Sequence, residues 1–254
     1  MKLFYCSVFV IISFYSNGIK AQNEQIFIEY DFYFYHHTGE FTIESISDAK
    51  ENLQTVIRNY KLQSSPGVVE NITEKKFIFK DNFKKNMIYQ ENEPETIVFE
   101  YANLMDWELT DEKSEVLGYQ CNKAKVHFRG RDYIAYFTTE LPFKTAPWKF
   151  HGLPGVVLKI YTDDGKLKIN AKSIKIGKGL ENVENPFISK KSITWEKFVK
   201  LYSIAQNKYL TALNALDAKN GDKTIYIGGR IDLITEADKV GDQVFNSNLE
   251  KVKQ

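Results

Sequence analysis

The side chains that could carry hydrolytic chemistry are few, and they cluster between positions 127 and 151. A hydrolase could use a site around Glu140, His151 and Arg131, provided that these side chains converge within hydrogen-bonding reach in one cleft. His151, His127 and Glu140 are also the set that could bind a metal ion if their strands are neighbours. The adjacent pair His36 and His37 suits chelation poorly, because consecutive strand residues point to opposite faces.

No established catalytic motif accompanies these residues. The chain has no Gly-x-Ser-x-Gly elbow, no His-Glu-x-x-His pair, no phosphate-cradling glycine loop and no Cys-x-x-Cys. Cys121 has no histidine placed beside it, and its alternating surroundings favour a buried, structural thiol. The sequence therefore predicts no catalytic residue, no metal and no cofactor, and an enzyme is the less favoured interpretation.

The densest motif is the run from Pro147 to Val157, PWKFHGLPGVV. One interpretation is a rigid corner, with Pro154 and Gly155 at the centre of a type II turn whose second position needs a positive φ. The other is a ligand pocket. The candidate residues of the motif, structural or ligand-binding, are Trp148, Phe150, His151, Gly152, Leu153, Pro154 and Gly155.

Three charged residues belong to the same candidate region. Arg129 and Arg131 flank Gly130 in a predicted hairpin tip, and Glu140 follows the next strand. We expect Glu140 to pair with Arg129 or Arg131 across the hairpin as a structural salt bridge. Anion binding at the tip is the minor alternative.

The pattern of elements predicts a β-dominated α+β domain. The predicted strands are short alternating or apolar runs, namely 26–35, 76–80, 86–89, 96–101, 104–109, 116–119, 123–128, 133–138, 156–161 and 167–171. Helical spacing indicates a first helix over 49–60 and a second from Trp195 to about Leu216. These elements predict a curved antiparallel sheet, a meander resembling a half-barrel, with one or two helices packed on it.

The N-terminus and the composition define the compartment. Residues 1–21 have a positive start, an apolar run and a small residue at Ala21, which is the layout of a cleaved signal peptide rather than a transmembrane anchor. Cleavage removes two of 34 basic groups, leaving 32 against 33 acidic ones, a balance that gives no reason to expect nucleic acid. We expect residues 22–254 to form one domain, exported to the periplasm or the extracellular space.

Several blocks together resemble the GLPGLI family, exported proteins of Bacteroidetes with no established activity. The resemblance covers roughly residues 100–160 and includes WELTDE, LGYQCNKA, FRGR, AYFTTELP and APWKFHGLPGVV. It implies export and a similar fold, but no activity. The 18 Phe, 15 Tyr and 3 Trp on a curved sheet without a catalytic motif favour a cell-envelope binding or accessory protein over an enzyme. Its partner would be an apolar ligand held on an aromatic-lined concave sheet, or an outer-membrane protein. The alternative from another class is the exported hydrolase described above.

Overall fold

The structure is a computed structural model of the 254-residue chain. It describes residues 24–35, 41–59, 62–65, 68–70, 74–82, 86–92, 96–102, 104–220, 231–235 and 238–239. The predicted signal peptide over residues 1–21 and the pair His36 and His37 lie outside these ranges.

The described residues form fourteen strands and one long helix. In chain order they are β1 Glu24–Phe34, β2 Phe41–Asp48, β3 Leu53–Asn59, β4 Leu62–Ser65, β5 Val68–Glu70, β6 Glu74–Asp81, β7 Met87–Asn92, β8 Thr96–Tyr101, β9 Glu108–Val116, β10 Tyr119–Phe128, β11 Arg131–Thr138, β12 Val156–Thr162, β13 Leu167–Lys178, β14 Ser192–Thr194 and α1 Trp195–Asn220.

Twelve of the strands make one sheet, in the order β14-β8-β7-β6-β3-β2-β1-β13-β12-β11-β10-β9, and β4 pairs with β5 separately. The prediction of a β-dominated fold with a helix is confirmed. The sheet is mixed rather than wholly antiparallel, because β14 runs parallel to β8. It is also not a simple meander, since β1 lies between β2 and the distant β13.

The core lies along the middle of this sheet. In β1 the side chains of Ile26, Ile28 and Tyr30 are all fully buried, because every second residue of a strand faces the same side. The buried Tyr30 hydroxyl donates a hydrogen bond to the Val157 carbonyl at 2.8 Å. That bond joins the centre of the sheet to the strand that leaves the Pro147–Val157 motif.

The first predicted helix is wrong. Residues 53–59 form strand β3, which pairs with β2 on one side and with β6 on the other. The consecutive residues Thr55, Val56 and Ile57 are β-branched, and a strand packs such residues well. The second predicted helix is confirmed as α1, which extends to Asn220.

The hairpin tip at Arg129-Gly130 is confirmed, with φ values of 48° and 81° that match a tight two-residue turn. The predicted strand over 116–119 is wrong, since Leu117 and Gly118 form a second turn of this kind between β9 and β10. The predicted strand over 104–109 is also displaced, because β9 begins only at Glu108. Within the described residues, no helix is long and apolar enough to span a membrane.

Candidate functional site

A half-enclosed cleft opens beside the Pro147–Val157 motif. Its cavity volume is about 390 Å³. One wall is the motif itself, from Phe150 to Gly155, and the opposite wall comes from the β2–β3 loop, the end of β6 and the turn before β7. We call it the His151 cleft.

The two ends of the loop that contains the motif lie side by side. Thr145 and Val156 form an isolated parallel bridge, with Val157 N donating to Thr145 O at 2.9 Å. Between them the backbone turns tightly, since His151 N donates to Lys149 O at 2.8 Å and Trp148 has a φ of 53°. Trp148 and Phe150 fill the inside of this loop in mutual contact, 5.0 Å between ring centroids.

Gly152 and Gly155 both have a structural reason to be glycine, but it is not the positive φ at Gly155 that a type II turn would need. Gly152 is the residue with positive φ, at 106°, whereas a Cβ there would only come into ordinary contact with Trp107, at 3.4 Å. Gly155 does not have a positive φ, so the predicted type II turn is wrong. A Cβ at Gly155 would lie 2.1 Å from the Thr138 carbonyl oxygen, so close backbone approach is what excludes other residues.

His151 is buried, with 4% of its surface exposed, and its Nε2 has no hydrogen-bond partner in the part of the chain that the structure describes. Its backbone carbonyl accepts a hydrogen bond from Trp107 Nε1 at 2.8 Å. The pKa of His151 is lowered to about 3. The main cause is burial, the nearby Lys80 acts in the same direction, and a hydrogen bond to the Trp148 backbone opposes both. The ring is therefore neutral at physiological pH.

Nε2 of His151 has no hydrogen-bond partner among the described residues. Because the ring is neutral, Nε2 accepts a hydrogen bond in the tautomer that carries its proton on Nδ1. That tautomer leaves the Nδ1 proton to donate to the Trp148 backbone.

Two more buried polar atoms of the cleft residues have no hydrogen-bond partner among the described residues. They are Thr145 Oγ1 and Asn86 Oδ1. Lys80 is also buried and lines the same cleft, and burial lowers its pKa, with Glu51 opposing and Lys144 reinforcing that effect. A buried polar group without a partner costs free energy, so several in one cleft indicate a place where a polar ligand binds.

A network of side-chain bonds fixes the opposite wall. Asp48 Oδ1 accepts from the backbone N–H groups of Lys50 and Asn52, both at 2.9 Å. Asn52 Oδ1 accepts from Asn82 N at 3.1 Å, which joins the β2–β3 loop to the end of β6. This bracing holds Glu51 at the cleft with a φ of 65°, a costly conformation for a residue other than glycine.

A buried cluster of charged side chains binds the motif through Lys149. Lys149 Nζ donates to Glu100 Oε1 at 3.0 Å and to Asp232 Oδ2 at 2.9 Å, with all three side chains at most 5% exposed. Arg129 also donates to Glu100, and its guanidinium lies 3.3 Å from the centre of the Trp195 ring. Two bases and two acids thus fix the backbone next to His151.

The structure brings some of the predicted site residues together and separates the others. Phe150, His151, Gly152, Leu153, Pro154 and Gly155 all line the His151 cleft, and Trp148 packs behind them. Glu140 and Arg131 lie at opposite ends of β11, whose eight residues span about 25 Å. The hydrolase site predicted around Glu140, His151 and Arg131 is therefore not assembled.

The predicted salt bridges of Glu140 are also wrong. Glu140 Oε1 accepts a hydrogen bond from Gln120 N at 3.3 Å, whereas Arg129 pairs with Glu100 and Asp232. Arg131 donates to the Ile231 carbonyl at 2.8 Å and lies near Asp164. In the described part of the chain, no group of three His, Cys, Asp or Glu residues could hold a metal ion. Cys121 is buried as predicted, and burial raises the pKa of its thiol to about 11.

Sequence reasoning missed half of the cleft. The sequence predicts Lys80 as the last residue of one strand, Asn86 as the first residue of the next and Asn82 in the polar break between them, and Glu51 falls in the wrongly predicted helix. Their position depends on pairing between distant strands, which leaves no local signal. Thr145 is different, because it directly precedes the motif and could have been included with it.

A family model described as "N-glycanase peptide, N-terminal domain" matches residues 47–201, which is more than half of the chain. The chain therefore belongs to this family of N-glycanase N-terminal domains. A comparison with curated proteins gives no match.

Two solved structures of PNGF-II, in space groups C2 and P21, are similar to this chain at 16% and 18% identity. Their TM-scores are 0.47 and 0.45. The matches cover 67% and 68% of this chain but only 30% and 31% of the PNGF-II chains. This chain therefore aligns with less than a third of each.

The family corrects two expectations. The assignment to the GLPGLI family is wrong, because the matching family is that of the N-glycanase N-terminal domains. The expectation of a non-enzymatic binding or accessory protein of the cell envelope is wrong for the same reason, since this family is tied to an enzyme. The hexapeptide misled because its glycines meet backbone needs, a positive φ at Gly152 and a close approach to Thr138 at Gly155, which unrelated chains can share.

Proposed function

We propose that this chain works as the N-terminal domain of an N-glycanase-type hydrolase and that the His151 cleft contacts the N-linked glycan of the substrate. The single observation that supports this role most strongly is the group of buried polar atoms without partners along the cleft. Family membership supplies the substrate class, because N-glycanases are named for acting on N-linked glycans.

The chemistry of the cleft matches the first sugar of such a glycan. An N-acetylhexosamine brings hydroxyl groups, which donate and accept, and an acetamide with an N–H, a carbonyl and a methyl group. The cleft offers acceptors at His151 Nε2, Asn86 Oδ1 and Thr145 Oγ1 and a donor at Lys80. Apolar surface for a methyl group is available on the motif wall, which includes Leu153.

In this proposal His151 binds and does not transfer protons. A general base works best with a pKa near the operating pH, and that of His151 is about 3. Its Nε2 is suited to accept a hydrogen bond from a sugar hydroxyl or an acetamide N–H. The rigid loop from Thr145 to Val156 keeps that acceptor in place, which lowers the entropy lost on binding.

Two further predictions from the sequence belong to the proposal. Export to the periplasm or beyond would bring the domain to extracellular glycoproteins.

A curved, half-barrel-like course of the sheet is supported by register shifts at three places, between Glu29 and Tyr30, Asn122 and Ala124, and Tyr136 and Phe137. Such bulges bend strands and increase their twist.

The proposal is tested with a variant that removes one unused cleft atom without changing the shape of the side chain. Thr145→Val replaces the hydroxyl by a methyl group. Because that hydroxyl has no partner, the free energy of unfolding should stay level or rise. Binding of a peptide with one asparagine-linked N-acetylglucosamine should weaken about three- to tenfold, the worth of one hydrogen bond, by calorimetric titration.

Thr138→Val is the matched control. Thr138 is equally buried, but its hydroxyl accepts a hydrogen bond from Glu140 N at 3.2 Å, and it does not line the cleft. This variant should lose stability by about 1 kcal/mol and keep the native affinity. Equal affinity for the glycopeptide in Thr145→Val and the native chain would argue against the assigned site.

A further inference from the structure

A second cleft lies on the other side of the β7 start from the His151 cleft. Its cavity volume is about 370 Å³, and four aromatic residues line it, namely Phe99, Tyr101, Phe128 and Trp195. Leu104 adds apolar surface at its rim, where Tyr101 and Leu104 are 61% and 44% exposed. A cavity continuous with exposed apolar side chains is typical of a ligand site.

We infer that this Trp195 cleft binds an apolar side chain of the peptide that carries the glycan. The inference rests on the proposed function, since it assigns the second part of the same glycopeptide. Asn86 lines the His151 cleft and Met87 lines the Trp195 cleft, so the two clefts meet at adjacent residues, about 3.8 Å apart along the chain. The buried ion pair of Lys149 with Glu100 is a second link, because Lys149 directly precedes Phe150 of the His151 cleft and Glu100 lines the Trp195 cleft.

The walls of the Trp195 cleft are already fixed before any ligand binds. The guanidinium of Arg129 lies 4.7 Å from the Phe128 ring and 3.3 Å from the Trp195 ring, and it donates to Glu100. Little side-chain freedom remains to be lost there on binding.

The same contacts disfavour a cation and a sugar as the occupant. Two acids line the cleft: both carboxylate oxygens of Glu100 already accept from Arg129 and Lys149, and Glu196 is hydrogen-bonded to Thr194. Arg129 covers faces of both the Phe128 and the Trp195 rings, and Lys149 Nζ is 4.7 Å from the latter. A sugar would find few free ring faces and few polar partners, whereas an apolar side chain needs neither.

The test uses the full chain and a set of synthetic peptides with one asparagine-linked N-acetylglucosamine. In the parent peptide the two positions on each side of that asparagine are glycine. Four further peptides each replace one of these four glycines by phenylalanine. Calorimetric titration should show at least one phenylalanine peptide binding about tenfold more tightly than the parent.

Rim variants assign that gain to the Trp195 cleft. Tyr101→Ser combined with Leu104→Ser should abolish the phenylalanine advantage, and both residues are exposed enough for the fold to survive. Ile188→Ser, which removes an isoleucine that is 76% exposed elsewhere, should retain it. If the advantage persists in the rim variant, or if no phenylalanine position gains more than twofold in the native chain, the inference is overturned.

The sugar-free version of each peptide separates this inference from the proposed function. If the sugar strengthens binding but phenylalanine does not, the His151 cleft assignment stands and the Trp195 cleft assignment fails. If the sugar adds nothing to the affinity of any peptide, the proposed function itself fails.

Discussion

The Thr138 carbonyl oxygen occupies the space in which a side chain of Gly155 would begin. A Cβ built on Gly155 would lie 2.1 Å from that oxygen and 2.8 Å from its carbon. Because both atoms belong to the backbone of β11, no rotamer change can make room. This crossing fixes the end of the motif against the sheet and so sets the position of the whole His151 cleft.

Gly155→Ala should therefore be strongly destabilising. We expect a loss of about 3 kcal/mol in the free energy of unfolding, because β11 or the motif must move. Chemical denaturation measures it. The control is Gly118→Ala in the β9–β10 turn, where a Cβ meets nothing within 4 Å and only the positive φ of 81° opposes it. That variant should lose only about 1 kcal/mol, and equal losses in the two variants would contradict the steric account.

The buried charges behind the motif should be costly to break. Lys149→Met leaves the Glu100 and Asp232 carboxylates buried without their shared ammonium partner, for an expected loss of about 3–5 kcal/mol. Lys172→Met is the comparison, since Lys172 is 56% exposed and contacts Glu29 at 3.6 Å. It should cost less than about 1 kcal/mol in the same urea titration. A small loss in Lys149→Met would mean that the cluster does not hold the motif.

His151 should make the fold sensitive to acid. In the unfolded chain an ordinary histidine takes up a proton near pH 6.5, whereas in the folded chain the pKa of His151 is about 3. Between these values the unfolded state binds more protons, so the free energy of unfolding falls as the pH falls. The slope from this group is at most about 1.4 kcal/mol per pH unit.

Denaturant titrations at several pH values between 7 and 4 measure that contribution. His151→Gln should show a shallower fall than the native chain over this window, because glutamine does not titrate. Parallel curves for the two proteins would mean that His151 becomes protonated in the folded state.

Export predicts a specific N-terminus. Protein recovered from outside the cytoplasm of a bacterial host should begin at Gln22, because the signal layout ends at Ala21. Intact mass spectrometry resolves the 21-residue difference. Retention of residues 1–21 in exported protein would contradict the prediction.

The parts of the fold that could be predicted are those determined locally. The strand over Thr96–Tyr101 matches the prediction at both ends, and the Arg129-Gly130 tip and the start of α1 are also where the sequence placed them. Each depends on side chains within one or two turns of the chain. The prediction for residues 53–59 was wrong because the spacing of their apolar side chains also fits a helix. Pairing with both β2 and β6 makes this segment a strand.

The cleft was predictable only on its motif side. Phe150 to Gly155 are consecutive, so their density of aromatic, proline and glycine residues was visible in the sequence. Lys80 and Glu51 reach the same cleft through pairings between β2, β3 and β6, more than 60 residues away in the chain. Burial of Lys80 and the missing partner of His151 Nε2 are properties of the assembled cleft that no local pattern carries.

The most direct test of the central claim compares two peptides of identical sequence on the native chain. One carries an asparagine-linked N-acetylglucosamine and the other has an unmodified asparagine. Amide and side-chain NMR shifts of His151, recorded during titration, report whether the sugar enters the cleft. The account predicts saturable shifts at the His151 ring only with the glycopeptide, and it is contradicted if that ring is unmoved or responds equally to both peptides.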